Sequence, residues 1–197
     1  MSASGAALEL LPASARRAVP WKNGGGITRE IACEPPAAGL EDFVWRVSSA
    51  EVARAGPFSA FAGVERTLCV LEGELTLEVH GRAAVQLGAC SEPFVFPGDV
   101  AAHGIPRDGT VLDLNVMTRR DRCRARVTRV EGVRGLEVSA STVLLFALRR
   151  MAVAVAGRDF SLEPADALRV SGASCCELQA RGAAPALYLI ELRLVAA

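Results

Sequence analysis

The sequence is most distinctive for what it holds back. It contains a single lysine, Lys22, and the other basic residues are all arginine. Lysine and arginine together balance aspartate and glutamate at 22 each, so the formal net charge is zero. No basic excess is available for a polyanion, which argues against nucleic acid and against an anionic membrane surface as partners. There are two histidines, His80 and His103, too few for the usual zinc or iron ligand sets, so no metal and no cofactor is expected. Six cysteines occur without any C-x-x-C, and Cys175 and Cys176 are adjacent. They read as small buried hydrophobes of a reducing compartment. No charged segment followed by an apolar run opens the chain, and the longest apolar stretch, 143–156, is interrupted by Arg149 and Arg150. A signal peptide and a membrane helix are therefore not expected, and the location expected is cytoplasmic. No G-x-S-x-G and no Ser/His/Asp spacing is present.

What is present is a β pattern. Short runs of Val, Leu, Phe and Thr alternate with Gly, Pro and Asp turns. Strands are expected at 8–11, 28–33, 44–49, 67–72, 74–80, 82–87, 94–96, 111–117 and 128–130. A second series is expected at 136–139, 143–149, 151–156, 158–162, 167–170, 175–179 and 186–195. One helical turn is expected at 51–55. The arginine-rich stretch 119–129 reads as a solvated linker. The segments 71–82 and 148–158 share one pattern of strand, tight turn and strand, which implies two copies of a β unit. The division expected is 1–125, carrying the unusual polar residues, and 126–197, mostly Ala, Val and Leu and mainly structural.

The polar residues fall into three constellations. The first is Trp21-Lys22-Asn23-Gly24-Gly25-Gly26-Ile27-Thr28-Arg29-Glu30. The lysine precedes the glycines, so this is no phosphate-binding loop; three glycines suit either a sharp turn or a close approach to a ligand. The second is a set of pairs at spacing two: Thr28 with Glu30, Arg46 with Ser48, and Asp113 with Asn115. In a strand each pair shares a face. That face lies either in water or inside a barrel. The third is Gly56-Pro57-Phe58-Ser59-Ala60-Phe61, followed by Arg66. Phe58 and Phe61 suit a pocket wall or a core plug, and Arg66 suits a bidentate grip on a carboxylate.

Two β copies, the Leu71-Glu72-Gly73-Glu74-Leu75-Thr76-Leu77 segment and Phe96-Pro97-Gly98-Asp99 resemble cupins. Where that superfamily carries His-x-His, this chain reads Phe58-Ser59-Ala60-Phe61; Glu65 stands where the ligand acid would be, and His103 echoes the last ligand. Trp21 to Glu30, then Phe43-x-Trp45-Arg46-Val47-Ser48, then Gly56-Pro57-Phe58-Ser59-x-Phe61-x-Gly63-x-x-Arg66, then Asp113-Leu114-Asn115-Val116-Met117, resemble the HutD/Ves family. The resemblance implies an all-β bicupin, two stacked jelly-roll barrels in one chain, without metal and with a polar pocket in the first. It also implies, for the HutD branch, a regulatory tie to histidine utilisation and a ligand of the formylated-glutamate type.

Three roles stay open on the residues. In the first, the chain binds a small-molecule carboxylate: Lys22, Arg46 and Arg66 counter its charge, Asn23, Thr28, Glu30, Ser48, Ser59, Asp113 and Asn115 orient it, and Phe58 and Phe61 exclude water. In the second it is an enzyme of isomerase, epimerase or hydrolase type, with Glu30 as general base or Lys22 as base or Schiff-base amine. In the third the polar pairs face solvent and the role is structural. Association of cupins through β edges leaves a homodimer open as well.

Overall fold

The computed structural model describes residues 6–21, 24–132, 135–172, 176–181 and 186–195, of which 176, 178, 180 and 181 are described as backbone alone. In chain order the strands are β1 (Ala7–Leu11), β2 (Ala18–Pro20), β3 (Gly26–Glu34), β4 (Trp45–Val52), β5 (Gly56–Pro57), β6 (Val64–Val79), β7 (Val85–Gly88), β8 (Phe94–Pro97) and β9 (Ala102–Arg119). They continue with β10 (Cys123–Glu131), β11 (Gly135–Val138), β12 (Thr142–Ala147), β13 (Met151–Val155), β14 (Arg158–Leu162), β15 (Ala167–Ser171), β16 (Cys176–Arg181) and β17 (Ala186–Leu194). The helical content among the described residues is one 3-10 turn, Ala13–Ala15. The chain is all-β, as the alternating pattern predicts.

Two compact units form, Arg16–Cys123 and Met1–Ala15 with Arg124–Ala197. Set against the expected 1–125 and 126–197, the boundary falls at Cys123 and the start of the chain changes sides. β1 pairs antiparallel with β15, Ala7 opposite Ser171 through Leu11 opposite Ala167, so the first residues belong with the last part of the chain. In that unit the sheets run β1-β15-β12-β17-β10 and β11-β16-β13-β14. An apolar cluster there is built on Val143, Leu145, Met151, Val153, Leu168 and Leu187, and Asp166 and Glu191 are buried in the same unit.

In the unit Arg16–Cys123 the order is β2-β3-β4-β9-β6-β7, with β5 on β9 and β8 on β6. Here the structure corrects the reading of 71–80 as a hairpin. β6 runs unbroken from Val64 to Val79, and Gly73 marks a bulge, not a turn. The register jumps from Glu72 opposite Leu112 to Glu74 opposite Arg107. Gly73 takes φ +80°, and a Cβ there would sit 3.2 Å from the Thr110 carbonyl and from the Val111 side chain, so two constraints require glycine.

Three further expectations are corrected. Residues 51–55 form no helical turn, because β4 continues to Val52 and the chain then passes into β5. The stretch 119–129 does carry the chain from one unit to the other, at Cys123 and Arg124, but as strand and tight turn rather than as a free linker: β9 extends to Arg119 and β10 begins at Cys123. Arg119 donates to the carbonyls of Glu41, Phe43 (3.3 Å) and Ala62 (2.9 Å) and lies over the Phe43 ring, while Arg120 donates to the Val64 carbonyl and pairs with Asp99. Cys33, Cys69 and Cys123 are buried thiols, as read, but Cys90 is exposed; Cys175 lies outside the described residues.

Candidate functional site

The three polar pairs meet on one face. Across β3, β4 and β9, Glu30 lies opposite Ser48 and Ser48 opposite Asn115, while Thr28 lies opposite Ala50 and Ala50 opposite Asp113. Arg46 lies opposite Met117, which lies opposite Arg66 of β6. Residues opposite one another in a ladder project to the same side. That side is the interior of the unit, since Val52, Leu68, Val70, Val111 and Phe96, which share it, form its core with Leu75, Leu77 and Val79. The interior is thus apolar at one end and polar at the other. Of the two open readings for the pairs, solvent and interior, the register places them in the interior.

Three buried side chains form a directed chain. Arg66 Nη2 donates to Asn115 Oδ1 at 2.7 Å, and Asn115 Nδ2 donates to Asp113 Oδ1 at 2.7 Å. The guanidinium fixes which end of the amide is oxygen, because it has no acceptor to offer. Asp113 is 0 % exposed and Asn115 and Arg66 are each 6 % exposed. The Arg66 guanidinium lies 5.1 Å from the centroids of both Phe58 and Phe96, and its Nη1 points to the Ser59 carbonyl at 3.5 Å. Burial lowers its pKa to about 10, with the charge of Asp113 pulling the other way. Burial raises Asp113 to about 7, opposed by Arg66, by the Asn115 amide and by the Ala50 backbone. Desolvation therefore outweighs the ion's partners at Asp113. Two atoms of the chain have no partner: Asp113 Oδ2 and Arg66 Nε.

Toward the open end the side chains become accessible. The Arg46 side chain is 15 % exposed and that of Glu30 is 40 % exposed, and Arg46 Nε donates to Glu30 Oε2 at 2.8 Å. Cys33 Sγ lies 3.3 Å from the other oxygen of Glu30. Strand alternation alone does not give this contact. Residues 30 and 33 should lie on opposite faces of a strand, but a bulge at Ile31 shifts the register and returns Cys33 to the interior, opposite Arg46. Burial and the Glu30 carboxylate both push the Cys33 thiol pKa up.

The glycine-rich turn sits beside this face. Trp21 N–H donates to the Gly26 carbonyl at 2.9 Å, and the Gly24 N–H donates to Trp21 at 3.0 Å, with Gly24 at φ +66°. The Trp21 indole N–H donates to Thr28 Oγ1 at 2.7 Å, and its ring meets Phe58 edge-on at 6.4 Å. Gly26 and Gly104 make room for these rings. A Cβ on Gly26 would come 3.1 Å from Trp21, and one on Gly104 would come 2.8 Å from Phe58. Phe58 joins the main core and Phe61 packs on Phe43, Val64 and Met117, so both serve as core plugs; the Ser59 side is exposed. Lys22 and Asn23 lie outside the described residues.

A cupin metal ion does not fit the residues present. Phe58 and Phe61 occupy the His-x-His segment, Glu65 projects to the outer face opposite Thr118, and His103 projects outward opposite Glu78. The interior holds a guanidinium where such an ion would need anionic or neutral ligands. Among the described residues, no three His, Cys, Asp or Glu side chains group as metal ligands. Two surface clefts, of about 560 and 590 Å³, lie elsewhere, at Arg119 to Arg122 and around Cys90 and Arg107. The arginines Arg119 and Arg120 that line the first are committed to backbone carbonyls and to Asp99.

Comparison with known proteins agrees with this architecture. The model of the HutD family matches residues 13–188. An uncharacterized 21.2 kDa protein of the hutC 3′ region of Pseudomonas putida is 39 % identical over 168 residues, 84 % of this chain and 87 % of that one. Protein Ves of Citrobacter koseri is 45 % identical over 108 residues, so the match spans only 54 % of this chain and 56 % of Ves. Among solved structures, HutD from Pseudomonas fluorescens SBW25, determined in a formate condition, superposes with a TM-score of 0.84 at 33 % identity, covering 96 % of this chain and all of that one. A cupin barrel domain protein from Leptotrichia buccalis, at 10 % identity and a TM-score of 0.61, shares the fold.

Proposed function

Because this chain belongs to the HutD family, we propose that the polar interior of Arg16–Cys123 binds a small acidic metabolite and that binding tunes histidine utilisation. The observation that carries this reading is the gradient on one face, from Glu30 and Arg46 at the accessible end to a fully buried Asp113. Buried charge is costly unless it is paired: the other unit buries Asp166 and Glu191 with protein donors on them, whereas Asp113 keeps one oxygen that no protein group serves. Arg46 is the better carboxylate receptor of the two interior arginines. Its Nε is held by Glu30, which leaves the Nη pair for a ligand, whereas Arg66 is enclosed by two rings and engaged with Asn115. The family's tie to the hut region and the formate condition of its relative make N-formylglutamate, urocanate, glutamate and formate the probes of choice.

Calorimetry with these four tests the reading. N-formylglutamate is expected to bind, and Arg46→Ala to weaken it roughly 10- to 100-fold, the worth of a charge-assisted hydrogen bond. Lys22→Ala is expected to weaken it as well, on the strength of its place in the sequence motif. No heat from any probe overturns the proposal. The enzymatic alternative, with Glu30 as base, is less well supported. Both Glu30 oxygens are engaged, by Arg46 and Cys33, and a base must release one of them. Turnover of any probe that disappears in Glu30→Gln would favour it.

A further inference from the structure

The directed hydrogen-bond chain ends on an acceptor. Arg66 gives to Asn115, Asn115 gives to Asp113, and Asp113 Oδ2 then receives from no protein group. This oxygen belongs to a side chain that is 0 % exposed, so bulk water does not serve it. Ala50 on one side and Val70 on the other offer no side-chain donor, and the hydroxyls of Thr28, beyond Ala50, and of Ser48, opposite Asn115, give Oδ2 no hydrogen bond. Among the described residues, the charged or titratable groups on this face are Glu30 and Cys33 of β3, Arg46 of β4, Arg66 of β6 and, at the far end of β9, Arg119, which is held over Phe43. The interior positions of β7 and β8 bring none. A buried acceptor left unserved costs about 1–3 kcal/mol, more when charged.

We propose that Asp113 selects the ligand: its Oδ2 accepts a hydrogen bond from an N–H or O–H group carried by the bound carboxylate. The inference rests on the binding role proposed for this face and adds a second requirement to it. Arg46 and Ala50, the strand neighbour of Asp113, are four residues apart on β4, about 13 Å at ~3.3 Å per residue. A molecule with its carboxylate toward Arg46 passes over Ser48 and Asn115 and brings its donor to Asp113. An N-acyl amino dicarboxylate, whose N–H stands several bonds from its side-chain carboxylate, meets both conditions with the long Arg46 side chain reaching inward, and a plain dicarboxylate meets only the first. Accepting a donor favours the ionised form of Asp113, so ligand uptake below neutrality expels a proton and affinity rises with pH up to about 7.

The test compares N-formylglutamate with glutarate, which has the same two carboxylates and no N–H. Calorimetry at pH 7.5 is expected to favour N-formylglutamate by about 10- to 100-fold. In Asp113→Asn that preference is expected to vanish, both probes binding alike. At pH 6 the wild type is expected to lose part of the preference and to release a proton, read from buffers of different ionisation enthalpy; this arm decides the matter if the variant does not fold. Glutarate binding as tightly as N-formylglutamate, or a preference that falls as pH rises, overturns the role of Asp113 and leaves the carboxylate site standing. Failure of both probes overturns the site as well.

Discussion

The balance at Asp113 can be measured through folding. In the native unit the carboxyl keeps its proton up to about pH 7, against 3.8 for an unperturbed side chain. Between those values the native state binds more protons than the unfolded chain, so stability falls as pH rises across the window and is flat above it. At about 1.4 kcal/mol per pH unit, the whole window is worth roughly 4 kcal/mol, and the step from pH 5 to 7.5 roughly 3 kcal/mol. Asp113→Asn removes the titration while preserving the shape. It also leaves Arg66 without a counter-charge, but so does the protonated wild type, which makes the variant a fair reference at low pH. Urea unfolding at pH 5, 6 and 7.5, followed by the fluorescence of Trp21 and Trp45, reports on the unit that contains both tryptophans. The variant's stability relative to wild type is expected to rise by roughly 3 kcal/mol over this range. A relative stability that is constant with pH, or that falls, means that Arg66 and Asn115 outweigh desolvation, and the reasoning fails.

Two further perturbations test the scaffold around the face. Gly104→Ala places a Cβ 2.8 Å from Phe58, a stiff ring backed by Trp21, so relief requires the ring to move. A loss of about 1–3 kcal/mol is expected, with a changed Trp21 emission as the mark of displacement; an unchanged spectrum and stability would mean that the ring is not held. Arg119→Ala removes the donor to three backbone carbonyls and the cation over Phe43. We expect a loss of about 2 kcal/mol in urea unfolding, whereas a solvated linker arginine would lose less than ~0.5 kcal/mol.

The sequence disclosed much of this site because strands impose a period of two. Thr28 and Glu30, Arg46 and Ser48, and Asp113 and Asn115 each had to share a face whatever the tertiary structure, and alternation with Ile31, Trp45, Val47, Leu114 and Val116 marked them. What alternation does not carry is parity across an irregularity. The bulge at Ile31 places Cys33 beside Glu30, and the bulge at Gly73 turns an apparent hairpin into one bent strand. Nor does it carry partnership across the sheet. Arg66 and Asn115, 49 positions apart, become donor and acceptor through the β6–β9 register, which took Arg66 from a free cation to a buried one committed to the protein.

The two units supply an internal comparison that bears on why these residues are charged. Both bury charged side chains, but in the unit that holds the apolar cluster of Val143, Leu145, Met151, Val153, Leu168 and Leu187 each is served: Asp166 takes the N–H groups of Ala13 and Glu163 on its two oxygens, and Glu191 accepts from Arg193. The other accepts Arg66, Asn115 and Asp113 in its interior, with two polar atoms unserved. Replacing a buried charged network by apolar side chains of similar volume is commonly neutral or stabilising by about 1–4 kcal/mol, so stability alone gives no reason to keep it. A polar interior with directed hydrogen bonds, one acceptor left over at its end and an accessible arginine at its rim has the asymmetry of a receptor. Its two ends ask for opposite things, an anion at Arg46 and a donor at Asp113, and a molecule offering both is held in one orientation.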